Sequence, residues 1–430
     1  MPRNITLILT NYFVGIAIRL WLFFIDYNTI FMNRVEISTP LNSWRRVVEA
    51  NYISKISNSP NPYESDVIYE PPLYHMFYMV LSNLFGEQIY LMFIIADILT
   101  SYCLCVAGKK YLETLFKKEI SNIDDYLPDA VNFIIKEQEI ESVDVYIVAA
   151  YMLNPYIIFN CVGYTTTVFQ NLYLGLFFVG IVKKNVFLAS ISLAAAISQS
   201  FYPILLLAPL FVTFNDKRFN ATLVTTLTLI ISGLILIISS FLNPKWSYLN
   251  HSLKFILSAP DFTPNIGLFW YFFIEMFEHF RTLFIYSFQL NVIALYVIPL
   301  TLRFRQDPVL LTTSLLGIIT IFKSYPSLGE VGFVLAVLPF WKHLQFYMQQ
   351  GLLTSVSFFM VTLLAPTVWH LWLYSGSANA NFYFGATLAF ATAQIFMLTD
   401  LLFAYIKREY IIKYGCVKEC DGQEAVLLLE

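Results

Sequence analysis

The stretch ATLVTTLTLIISGLILIISSFL, residues 221–242, contains no charged side chain. A helix rises about 1.5 Å per residue, so about 20 consecutive apolar residues cross the hydrocarbon core of a bilayer. Other runs repeat the pattern. Ile5–Ile25 holds only Arg19, Gly351–Tyr374 only His370, and Val143–Val162 only Asp144 at its edge. Further segments are Ile89–Val106 with Asp97, Thr165–Val182, Val186–Phe214 broken by Pro203 and Pro209, Phe284–Leu302, Val309–Phe322, Val331–Phe340 and Phe382–Ile406. Leu73–Phe85 is apolar but short, which suits either a half-helix whose backbone is shielded by protein or a tilted, poorly flanked span. The 430-residue chain is 58% hydrophobic and only 13% charged, with a mean hydropathy of +0.64. The sequence predicts an all-α membrane protein, a polytopic helical bundle of about 10–12 transmembrane segments forming one domain over residues 1–430.

Cytosolic loops carry excess Lys and Arg. Lys109-Lys110, Lys117-Lys118, Lys183-Lys184, Lys217-Arg218, Arg303/Arg305 and Lys407-Arg408 therefore predict the cytosolic side. Residues 108–142 read as a charged cytosolic loop and 407–430 as a cytosolic tail. Residues 26–71 read as a lumenal loop, despite Arg34, Arg45 and Arg46. Within it, Trp44, Val47, Val48 and Tyr52 recur at helical spacing and suggest an amphipathic helix on the membrane surface. The first apolar run lacks a small-residue cleavage site and reads as a retained anchor. A formal net charge of −3 gives no field favouring nucleic acid.

Charges inside apolar runs need partners or a wet cavity. Arg19 and Asp97, single opposite charges in early spans, are expected to pair. The segment SAPDFTPNIGLFWYFFIEMFEHFR, residues 258–281, concentrates more. Glu275 with His279, and Glu278 with Arg281, share faces if the segment is one helix. A proton relay, a lipid headgroup contact and a structural ion-pair network are all open for them.

No GxSxG, HExxH, glycine-rich phosphate loop or usefully spaced Cys/His pair occurs, so no catalytic residue, metal site or cofactor is predicted. The stretch HLWLYSGSANANFYF, residues 370–384, places a small-residue loop within an aromatic belt. Asn379 and Asn381 offer donors and acceptors suited to sugar hydroxyls and phosphates. A plain turn with Asn in turn positions explains the same residues.

STPLNSWRRVVEA (38–50), LNPY (153–156), PDFTPNIGLFWYFFIEMFEHF (260–280), IFKSYP (321–326) and WHLWLYSGSANANF (369–382) together resemble the phosphatidylinositol-glycan class U family. Members are multi-span subunits of the glycosylphosphatidylinositol (GPI) transamidase. The resemblance implies an endoplasmic reticulum membrane protein whose partners are the other transamidase subunits, including a cysteine-protease-like catalytic chain, and the GPI glycolipid. It implies a non-catalytic role, with Asn379 and Asn381, and Lys217 and Arg218 after the QSFYP segment (199–203), as GPI-binding candidates. The architecture also resembles GT-C glycosyltransferases. Asn61-Pro62-Tyr63 and Glu70-Pro71-Pro72-Leu73 echo their first-loop pattern, but Pro40–Ser43 stands where their carboxylate pair is expected. Glu36 and Glu49 are isolated substitutes. The alternatives are an active dolichol-phosphate-dependent mannosyltransferase of GPI synthesis and a lipid transporter.

Overall fold

The computed structural model describes residues 2–56, 62–123, 126, 133–215, 220–243, 246–415, 419–420 and 423–424. It is almost wholly helical, apart from a short antiparallel pairing of Glu419–Cys420 with Gln423–Glu424. The first helix, α1 (Pro2–Phe24), is followed by α2 (Tyr27–Met32), α3 (Trp44–Ile56), α4 (Pro72–Phe85) and the long α5 (Ile89–Ser121). Then come α6 (Glu137–Met152), α7 (Pro155–Val162), α8 (Thr167–Val182), α9 (Val186–Ser200), α10 (Leu207–Phe214) and α11 (Ala221–Leu242). The second half comprises α12 (Phe255–Ser258), α13 (Phe269–Ile274), α14 (Glu278–Val292), α15 (Ile298–Arg303), α16 (Pro308–Phe322), α17 (Leu328–Val337), α18 (Gly351–Leu373) and α19 (Ala380–Tyr414).

Six helical stretches among the described residues are long and apolar enough to cross a membrane, or seven if α6 and α7, bent by 49°, form one span. Four shorter apolar helical segments, Thr167–Val182, Val186–Ser200, Tyr202–Phe214 and Pro308–Phe322, pack among them. The chain is a multi-pass membrane protein. Sequence punctuation sets the breaks. Asn154 caps α7 by accepting from the Tyr156 amide at 3.0 Å, and Pro155 occupies the first helical position, where its missing N–H costs nothing. Pro203 sits in a short 3₁₀ turn, Tyr202–Leu206, that separates α9 from α10. Asp307 caps α16 through the Val309 and Leu310 amides at 3.1 and 3.0 Å.

The bundle has two distinct ends. Several basic clusters meet at one of them: Arg408 pairs with Glu119 at 2.8 Å, and Arg303 with Glu409 at 3.3 Å. At the other, the first loop is laced to later turns. The Leu328 amide donates to the Glu36 carbonyl, and the Thr166 amide to the Asn42 carbonyl, each at 2.9 Å. We call these the basic end and the loop end. Gly108–Ser121, read from sequence as part of a charged loop, continues α5 toward the basic end as helix.

The predicted Arg19–Asp97 pair is present. Arg19 Nε and Nη2 lie 3.0 and 2.9 Å from Asp97 Oδ2, with both side chains fully buried. Asp97 also accepts from the Tyr151 hydroxyl at 3.1 Å, and Arg19 Nη1 donates to the Met152 carbonyl at 2.8 Å, at the bend between α6 and α7. Gly15 permits this approach, because a Cβ there would meet the Met152 oxygen at 2.8 Å.

The amphipathic helix exists as α3 but does not simply float on the membrane. Trp44, Val47 and Ala50 are buried, and Trp44 meets Tyr78 and Phe93 edge-on at 5.6 and 5.2 Å. Trp44 packs against α4 and α5 and Val47 is buried beside it, while Val48 and Tyr52 of the same stripe stay exposed.

Candidate functional site

The helical hairpin α18–α19 turns at the loop end through residues 374–379, where Gly376 takes the left-handed conformation (φ 64°) that glycine adopts at no steric cost. Asn379 is the N-cap of α19: its Oδ1 accepts from the Asn381 and Phe382 amides at 3.0 and 3.2 Å. The side-chain oxygen is thus engaged as a turn residue, while the side chain as a whole stays exposed. Asn381, also exposed, accepts a hydrogen bond from the Tyr271 hydroxyl on α13. Tyr271 in turn stacks on Phe384, with ring centroids 4.2 Å apart. Tyr383 is buried against Trp369, Trp372 and Trp270, at 5.0, 6.2 and 6.1 Å. The aromatic belt expected from residues 370–384 therefore joins the 258–281 segment in one wall.

Between α18 and α19 lies a cavity of about 130 Å³, lined by Val361, Ala365, Pro366, Ala386 and Phe390. The small side chains of Ala365 and Ala386 leave room, and Pro366 inside α18 cannot donate to the Thr362 carbonyl, which frees a polar atom on the lining helix. Arg34 and Glu36 also line it, paired at 3.3 Å. An adjoining, more open cavity of about 510 Å³ shares Phe31, Arg34 and Pro366 and adds His370. The result is a largely apolar groove whose lining carries a cation. Burial pushes the Glu36 carboxyl up, and Arg34 beside it pulls the other way. Such a groove suits a hydrocarbon chain with a polar head.

A second polar cluster lies behind the first loop. Glu70 Oε1 accepts from the Thr166 hydroxyl at 2.5 Å, and Gln199 Nε2 donates to the Tyr78 hydroxyl and the Thr166 carbonyl, each at 3.1 Å. Burial, without a nearby cation, pushes the Glu70 carboxyl up to about 7.

Of the readings open for 275–281, the structural ion-pair network does not form among the described residues. Helix α13 ends at Ile274 and α14 begins at Glu278, so Glu275 and His279 lie on different helices. Glu275, Glu278 and His279 are exposed, and no ion pair among the described residues joins any of the four. Arg281 instead donates to the Met276 carbonyl at 3.1 Å and lies over the Phe262 ring. Lys217, Arg218 and Asn61 lie outside the described residues. Asn215, beside the basic pair, is at the basic end with Lys184 and Arg305, away from Asn379. No group of three or more His, Cys, Asp or Glu among the described residues is placed to hold a metal.

Arg34, Tyr271 and Tyr383 escaped the sequence reading as site residues. Arg34 read from sequence as an exception to the distribution of basic residues among the loops. The pairing of Tyr271 with Asn381 joins residues 110 positions apart and leaves no local trace.

The profile described as "GPI transamidase subunit PIG-U" matches residues 13–390. The GPI-anchor transamidase component PIGU of Homo sapiens is 35% identical over 433 residues, covering 97% of this chain and 98% of the relative. The Mus musculus component of the same name matches to the same extent. GPI transamidase component GAB1 of Saccharomyces cerevisiae is 30% identical over 380 residues, 87% of this chain and 88% of the relative.

Proposed function

Because this chain belongs to the PIG-U family of GPI transamidase subunits, we propose that it serves that complex as its non-catalytic, GPI-binding scaffold in the endoplasmic reticulum membrane. Family membership favours the transamidase role over a mannosyltransferase or a transporter. The single observation that carries the lipid reading is the loop-end groove: an apolar slot between α18 and α19, with Arg34 in its lining and exposed Asn379 and Asn381 on the turn above. An acyl chain of the GPI lipid enters the slot, the lipid's phosphate approaches Arg34, and glycan hydroxyls meet the two asparagines. Holding the acceptor lipid near a partner's acyl-enzyme raises its effective concentration, a contribution to rate that needs no nucleophile here.

The disposition of the acids supports the non-catalytic reading. Glu36 is buried and engaged with Arg34, and Glu49 is exposed and paired with Arg45 at 3.3 Å. We read both acids as ion-pair partners rather than general bases. We read the shell as GT-C-like, with the transferase chemistry gone. In this proposal Asn379 and Asn381 carry the GPI contact, with Lys217 and Arg218 as further candidates.

The test fills the slot. Ala365→Leu with Ala386→Leu, and separately Asn379→Leu with Asn381→Leu, are assembled with the partner subunits, and co-purified GPI is measured by mass spectrometry. Both pairs should lower occupancy severalfold. Normal GPI content in both would remove the groove from the site.

A further inference from the structure

We propose that the outer face of α14 and α15 seats a transmembrane helix from another transamidase subunit, held by a hydrogen bond to the Asn291 carboxamide. The spanning stretch Glu278–Arg303 is gripped loosely by its own chain: along it, only Ile285 and Val297 are buried. Asn291 stands midway between Glu278 and Arg303, roughly 18 Å from either end at the helical rise. That depth is near the centre of a hydrocarbon layer about 30 Å thick. The Asn291 side chain is exposed there, on the outside of the bundle.

Other polar groups on the spans are already satisfied. Gln289, two residues earlier, donates to the Leu257 carbonyl at 3.1 Å. Exposed Thr367 and Thr399 donate to carbonyls of their own helices, Leu363 at 2.7 Å and Ile395 at 2.9 Å. The Asn291 carboxamide has no hydrogen-bond partner among the described residues. In sequence, the residues outside that set lie between helices or at the chain ends. Lipid tails cover an apolar helix face well, but they offer neither donor nor acceptor to an amide.

The residues around Asn291 fit a second helix. Phe284, Ser287, Asn291 and Ala294 recur at spacings of three, four and three, the repeat that lines a left-handed helix pair. Phe284 is 48% exposed, and Ala294 is exposed as well. Ser287 and Ala294, about one turn on either side of Asn291, are small enough to let a second backbone come close. From Ile293 to Val297 the helix widens into a π turn, a local irregularity frequent at functional sites. The occupant is therefore a spanning helix that presents Asn, Gln, Ser or Thr at its own midpoint. Membership of a family of transamidase subunits favours a helix of another subunit over a second copy of this chain. The inference rests on that membership and is independent of the loop-end groove.

The test uses the full-length chain assembled with its partner subunits. Phe284 is replaced by the photocrosslinking analogue benzoylphenylalanine, which leaves Asn291 intact, and adducts are identified by mass spectrometry after illumination in the membrane. The expected adduct joins this chain to one other transamidase subunit. Asn291→Leu should lower recovery of that subunit with the tagged chain about three- to tenfold, the range open to one interhelical hydrogen bond. Asn291→Gln should restore most of it. Melting of the isolated chain in detergent should not fall with Asn291→Leu, because the amide bonds nothing within the chain. Adducts with lipid alone, or with a second copy of this chain, overturn the proposal. So does undiminished recovery with Asn291→Leu, or misfolding or a lowered melting temperature of the isolated variant, since the amide would then act internally. Ala365→Leu with Ala386→Leu should leave the adduct unchanged, which separates failure here from failure of the loop-end reading.

Discussion

Arg19 and Asp97 are fully buried and bonded to each other, whereas Glu275, Glu278 and His279, drawn from an equally apolar stretch, stand exposed on either side of a helix break. Both sets look alike on paper: ionisable groups amid Phe, Leu and Ile. The difference is the backbone beneath them. A lone charge in the middle of an unbroken spanning helix has no route to water and must find a partner inside. A cluster beside a chain break has such a route, and Glu275 is followed at once by the turn that ends α13. An isolated charge therefore signals an internal bond, and a clustered one signals an end of the bundle or a surface that meets something else.

The sharpest way to break this contrast is Arg19→Ala. It strands Asp97 in the core, and removing one partner of a buried pair costs about 3–5 kcal/mol. We expect loss of monodisperse protein and of complex assembly, with Arg19→Met and Asp97→Leu together recovering much of both. Wild-type behaviour of Arg19→Ala would end the distinction. Glu70 tests an intermediate case, a buried carboxyl with hydrogen bonds and no cation. Its folded value of about 7 lies above the ordinary 4.5, so its contribution is complete below about 4.5 and is lost as pH rises through about 7. The full change is about 3 kcal/mol. Melting in detergent should fall over that window, and Glu70→Gln should flatten the slope.

Asn379→Ala removes a helix cap and should cost about 1 kcal/mol. Asn379→Ser keeps a capping oxygen, so normal melting with lowered GPI content would separate the headgroup role from the turn role. Glu275→Gln with His279→Gln should shift stability by no more than about 0.5 kcal/mol in the isolated chain. A large loss there would mean that these exposed charges are internal after all.

Much of the fold was legible because the bilayer imposes length. Ala221–Leu242 begins and ends where its apolar run does, with Asn220 capping it. Asn154-Pro155 and Pro203 marked real breaks. Lys118, Lys184 and Arg305 line one cavity, and Arg408 pairs with Glu119 near the end of α5. What stayed hidden is tertiary. The stripe of α3 told that something covers Trp44, but not whether lipid or protein does. The helical spacing of Glu275 and His279 was sound arithmetic defeated by a chain break that no Gly or Pro announces. The groove arises from Ala365, Pro366 and Ala386, residues unremarkable alone, opposed across a hairpin.

The bond from Arg19 to the Met152 carbonyl spans 133 positions, and the one to Asp97 spans 78. During synthesis, α1 leaves the ribosome long before either acceptor exists. We expect α1 to stay near the insertion machinery until α5 and then the end of α6 arrive. Truncations ending between those landmarks should be retained beside the translocation channel, and the apparent hydrophobicity of the opening segment would mislead anyone using it alone as a membrane tag.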